Sequence, residues 1–179
     1  MTTIKIEFQD GEVIAALNRL MQAGASPAPL MKAIGERVAE TTRRRFETST
    51  APDGSHWKPN SALTYGRLPF GKRDLGKSGR INAQGARRVM GKKTLVGETG
   101  LLSKIVWQLQ GRDAVLVGSP AEYAATHQFG AARGAFGRDK RNHPIPWGNI
   151  PARPFLGISA EDERNILDIV NEYIASSLR

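Results

Sequence analysis

Tyr123-Ala-Ala-Thr-His-Gln-Phe-Gly130 and, further on, Ile150-Pro-Ala-Arg-Pro-Phe-Leu-Gly-Ile158 are the stretches around which the chain is organised. Ser119-Pro120 is a good helix start and Gly130 a good stop, so the first predicts a short helix over 123–129. In the second, Pro151 and Pro154 flank Arg153, which restricts the backbone to extended forms before folding. Phe155 and Leu156 beside Arg153 suit a surface held rigidly toward a partner. The residues alone support a docking or framework element, with Tyr123, His127, Gln128, Phe129, Arg153, Phe155 and Leu156 as candidate interface positions.

Working outward, Ile105, Trp107 and Leu109 alternate within 102–110, Gly111-Arg112-Asp113 supplies a turn, and 114–118 pairs back as a hairpin. Ser159 caps a terminal helix with Glu161, Asp162 and Glu163 in its first turn and a buried stripe of Ile166, Ile169, Val170, Tyr173 and Ile174. Upstream, Ile4, Ile6 and Phe8 alternate with polar residues as a half-buried strand. Asp10 caps a helix with Val13, Ile14, Leu17, Leu20 and Met21 on one face. Ser26-Pro27 opens a longer helix, serine at its cap, with Leu30, Met31, Ile34, Val38 and Phe46 inward. Arg43, Arg44 and Arg45 fall in its last turns, where cations complement the helix dipole. The sum is an α+β fold in a single domain over 1–179: a small antiparallel sheet, three main helices, one short helix and a long basic glycine-rich loop.

Between residues 50 and 97 the periodicity disappears. Pro52-Asp53-Gly54 reads as a turn, and Trp57 as the ring that anchors it to the core. From 58 to 93, Lys58, Arg67, Lys72, Arg73, Lys77, Arg80, Arg87, Arg88, Lys92 and Lys93 face one acid, Asp74. A stretch so basic and apolar-poor cannot order itself by burial, so 58–98 reads as a flexible insertion, a basic arm free to settle on a neighbour.

The net charge of +9, from 26 Lys and Arg against 17 Asp and Glu, points to an anionic partner. With no cysteine, disulfides and thiolate metal sites are excluded. His56, His127 and His143 form no metal spacing, and no nucleophile elbow, phosphate loop or dinucleotide fingerprint is present. The acids are spread along helix surfaces or grouped where capping explains them, so nothing supports an enzyme or a cofactor. No apolar run is long enough to span a membrane and no signal peptide is visible, so the expectation is a soluble protein made in a bacterial cytoplasm, without membrane partners.

The order of Phe46, Pro52-Asp-Gly-Ser-His-Trp57, Thr99-Gly-Leu-Leu102, Tyr123 to Gly130 and Pro151-Ala-Arg-Pro-Phe-Leu-Gly157 resembles the phage virion morphogenesis proteins, the tail-completion family of Mu-like phages. The resemblance covers nearly the whole chain; residues 66–97, long and glycine-rich, give little to align. It implies a non-enzymatic virion component that completes the tail and helps form the head–tail junction. It further implies a ring, hexameric as phage tails are sixfold, with copies of itself, the tail tube, head-completion or connector proteins and genomic DNA in the lumen as partners. The alternative reading of the charge is a stand-alone basic DNA-binding protein acting in packaging.

Overall fold

Helix α1, Ala28–Thr48, carries the frame. The computed structural model describes Gly11, Ala15, Asn18 and residues 26–66, 73–97 and 99–177. The strand expected at 4–8, the apolar face expected at Val13, Ile14, Leu17, Leu20 and Met21, and the arm residues Arg67 and Lys72 lie outside the described residues.

Pro27, not Ser26, occupies the N-cap of α1, and the Ser26 hydroxyl accepts only a long bond (3.4 Å) from the Ala28 amide. The helix ends where Ser49 turns left-handed at φ 57°. The face predicted from the 3.6-residue period is the face observed, with Leu30, Met31, Ile34, Val38 and Phe46 all buried. Gly35 sits where α1 crosses the sheet. A Cβ there would meet Val115 Cγ2 at 2.6 Å and the Trp107 ring at 3.1 Å, so the close crossing requires glycine despite its helix cost of about 0.5–1 kcal/mol.

The sheet consists of β1, Val106–Gln110, and β2, Ala114–Gly118, antiparallel, with Trp107 opposite Val117 and Leu109 opposite Val115. Gly111, at φ 72°, makes the turn. Trp107 and Leu109 face inward between exposed Val106, Gln108 and Gln110, the expected alternation. The strand does not begin at 102, however. Leu102 and Ile105 are both buried, which a strand could not achieve at that spacing because they would fall on opposite faces. A turn at Gly100 (φ 59°) brings both inward and delays the strand to Val106.

Among the described residues of 58–93, the expected basic arm carries local structure of its own. Helices α2, Ala62–Gly66, and α3, Ala83–Met90, occupy part of it. Asn82 caps α3 by accepting from the Gln84 and Gly85 amides at 2.9 and 3.0 Å, while its own amide donates to Arg73 O at 2.8 Å. Buried Asp74 pairs with Arg88 at 2.9 Å, and a bridge joins Leu75 to Ile81. Polar caps and an ion pair supply order that apolar composition did not predict.

Helix α4 is Ala124–Phe129 and α5 is Ala160–Ser177. Ser159 and Asp162 exchange bonds at the start of α5: the Ser159 amide donates to the carboxylate at 2.9 Å, and the Asp162 amide donates to the hydroxyl at 3.1 Å. Ile166 and Val170 pack on the N-terminal half of α1, joined at the edge by Ile169, Tyr173 and Ile174. A second cluster, built from Phe46, Trp57, Leu102, Ile105, Phe155 and Leu156, fills the other end. With α1, α3 and α5 substantial, the five helices and single two-stranded sheet among the described residues make an α+β fold.

Candidate assembly interface

The segment 150–158 is bolted to three parts of the chain. The Gln128 side chain grips it from α4, donating to Leu156 O at 2.9 Å and accepting from the Phe155 and Leu156 amides at 3.0 and 3.1 Å. Trp57 donates its indole N–H to Pro154 O at 2.7 Å and sets its ring edge-on to Phe46, with centroids 5.3 Å apart. The anchor expected of Trp57 is present, and the Asp53-Gly54 turn before it has Gly54 at φ 82°.

The third bolt is Arg45, whose guanidinium donates to Phe155 O at 3.0 Å and Gly157 O at 2.8 Å and pairs with Asp162. The side chains of Arg45 and Asp162 are 8% and 1% exposed. Dipole complementation therefore does not account for Arg45: it crosses the interior to join α1, the 150–158 segment and the start of α5. Arg43 reaches Ile105 O and Arg44 pairs with Glu40, so each arginine of the run has its own partner. Burial opposes the charge of Asp162, but the Ser159 amide and hydroxyl and the Arg45 cation outweigh it, holding the carboxyl below its ordinary range. Burial likewise lowers Arg45, against the pull of Asp162; the guanidinium stays charged.

This geometry divides the candidate interface positions. Phe155, Leu156, Gln128 and Arg153 are buried in the protomer's own interior, so the expectation that they face a partner is corrected for these four. Arg153, only 7% exposed, donates from Nε to Lys58 O at 2.7 Å and from Nη2 to Pro59 O at 2.8 Å. The prolines present it inward, to tie down Lys58 and Pro59. His127 is half-buried with Nδ1 unpartnered, and burial, reinforced by the Arg153 charge, lowers its pKa. Tyr123 and Phe129 stay on the surface, Phe129 68% exposed. Of the arm, Lys58, Arg73, Lys77, Arg80, Arg87, Arg88 and Lys93 are exposed, whereas Lys92 is half-buried and donates to Val96 O at 2.8 Å. A groove of about 400 Å³ runs between Tyr123 and His127, Lys92 and Lys93, and Asn149 and Ile150.

Residues 131–150, a second glycine- and arginine-bearing stretch, form a loop with its own backbone order. Ala131 bridges to Ile150 and Arg138 to Pro144, and Phe136 and Ile145 donate amides to Ile145 O and Gly137 O. Asp139 fixes the tip, accepting from the Arg141 and His143 amides at 2.8 and 2.9 Å and meeting the His143 ring at 3.1 Å. Those bonds, the His143 amide first, hold its carboxyl below the usual range. Phe136 and Trp147 are exposed, and so are Arg133, Arg138, Lys140 and Arg141. The readable signal is an Asx residue at the centre of a loop that carries both exposed rings and cations.

Residues 8–175 match the phage virion morphogenesis family. The chain belongs to that family. It is 30% identical over 95% of both chains to a protein of Haemophilus influenzae described as Mu-like prophage FluMu G protein 2. It is also 34% identical over 45% of its length, and 46% of the relative's, to the putative capsid assembly protein G of Escherichia phage Mu. No solved structure matches. Family membership gives the protein a structural or assembly role in building a phage particle. Among the described residues no three His, Asp or Glu groups gather where they could hold a metal, and no helix is long and apolar enough to cross a membrane.

Proposed function

We propose that this protein is a non-enzymatic structural component that completes the phage tail and forms part of the head–tail junction, as a ring of identical copies at the tail's head-proximal end. The observation that carries the reading is the family match along nearly the whole chain, from residue 8 to 175. The arrangement of the protomer supports it. Its motif residues build a rigid frame that leaves Tyr123 and Phe129 outward beside a groove, a surface suited to a neighbouring subunit. Identical head-to-tail contacts close into a ring when the rotation permits. The tail tube on one side and head-completion or connector proteins on the other are its remaining contacts in this reading.

The test is deletion of the gene from the phage, followed by electron microscopy of the lysate. The reading expects filled heads and separate, unjoined tails, restored by the gene in trans. Normal joined particles from the deletion would overturn it.

A further inference from the structure

We propose that the loop at residues 131–150 is a nucleic-acid-binding finger, taking phosphates on its cations and exposed bases on its aromatic rings. The site is centred outside the 58–93 arm and meets it at Lys92 and Lys93, and the proposal holds whether or not the protein forms a ring.

Four observations carry it. Arg133, Arg138, Lys140 and Arg141 are all exposed, within nine residues of chain. The one acid of the loop, Asp139, accepts from the loop's own Arg141 and His143 amides and meets the His143 ring, so a single carboxylate stands against these four cations and the loop keeps a positive excess. Phe136 and Trp147 stand 57% and 62% exposed on the same loop, while Phe129 lies just before the loop begins. Planar rings set between cations are the arrangement of a stacking platform with an electrostatic track. A protein-docking patch would instead tend to exclude charge from its apolar centre.

The fourth observation is continuity. The foot of the loop, at Asn149 and Ile150, lines the same groove as Lys92 and Lys93, and among the described residues no carboxylate lines it. A strand lying on the finger therefore has a cationic path onward. Backbone bonds from Gly134 to Pro146 O (3.0 Å) and from Asn142 to Asp139 O (2.9 Å) fix the finger before any ligand arrives, so little ordering cost falls on binding.

The experiment is fluorescence anisotropy of the full chain with labelled 20-nucleotide single-stranded DNA and with the matching duplex, each at several salt concentrations. The expected result is salt-dependent binding, tighter for the single strand because its bases can stack. The triple variant Arg133→Ala, Lys140→Ala, Arg141→Ala should flatten the log–log salt dependence by about 2, at roughly 0.7 for each phosphate deprived of its cation. Phe136→Ala with Trp147→Ala should weaken single-strand binding on the order of 10-fold or more, with a smaller effect on duplex. All these positions are exposed, so circular dichroism should report an unchanged fold. A control variant of exposed arm residues, Lys77→Ala, Arg80→Ala, Arg87→Ala, should bind within a few-fold of the parent.

Absence of binding at low salt would overturn the proposal. So would a preference for duplex, loss of binding in the arm variant instead, or indifference to both finger variants. If the finger variants bound DNA normally yet failed to enter particles, an acidic protein surface would be the partner and the nucleic-acid assignment would fall.

Discussion

Replacing either member of the Arg45–Asp162 pair tests the frame most sharply. Arg45→Ala leaves Asp162 charged in the interior and strips two donors from Phe155 O and Gly157 O. Asp162→Asn leaves a buried guanidinium without its counter-ion and weakens the Ser159 cap. Breaking one side of a buried pair costs about 3–5 kcal/mol. At about 2–4 °C per kcal/mol for a protein of this size, either change should lower Tm by roughly 6–20 °C. The double variant Arg45→Met, Asp162→Leu should lose less than the sum, because neither charge is stranded. Thermal unfolding followed by circular dichroism gives all three values. The pH dependence has a definite sign. The folded carboxyl of Asp162 is depressed, so its contribution is fully present above the unfolded value of about 3.9 and is lost as pH falls through the lower folded value. The gap between parent and Asp162→Asn should be constant from about pH 5 to 8 and shrink only below about 4. A Tm change under about 2 °C for both single variants, or strict additivity in the cycle, would refute the reasoning.

Four further outcomes follow. Trp57→Ala should cost about 3–5 kcal/mol in chemical denaturation, since it removes a core ring and the bond to Pro154 O. Arg153→Ala should lower stability by about 1–3 kcal/mol rather than act only in assembly, because the Lys58 and Pro59 carbonyls lose their donor. The depressed folded pKa of His127 means stability falls with pH below about 6.5, where only the unfolded chain protonates; His127→Gln should flatten the stability–pH curve from there down to the folded value. Phe129→Ser should leave Tm within about 2 °C of the parent, as befits an exposed ring, yet reduce incorporation into particles in a complementation assay.

Much of this frame could be read from local pattern. The inward face of α1, the hairpin turn at Gly111, the α5 stripe and the Trp57 anchor each depend on spacing within a few turns or strand residues. What escaped was long-range polar contact. Arg45 lies 117 residues from Asp162 and Arg153 lies 94 from Pro59, so nothing near either arginine in sequence reveals that it is buried. A charge between two prolines looks presented because side-chain polarity is read as exposure; here the surrounding carbonyls take it inward. The 73–91 segment escaped for a related reason. Its order rests on Asn82 and the Asp74–Arg88 pair, which a count of apolar residues does not register. The motif at 123–130 divided between roles: Gln128 holds the frame, while Phe129 beside it faces out.

Quantitative mass spectrometry of purified, infectious particles bears most directly on the claim that this family member is built into the phage as a structural part. The account predicts the polypeptide in every preparation, at a small and fixed ratio to the major capsid protein, as the proposed ring requires. Its absence from particles whose assembly depends on the gene would contradict that claim.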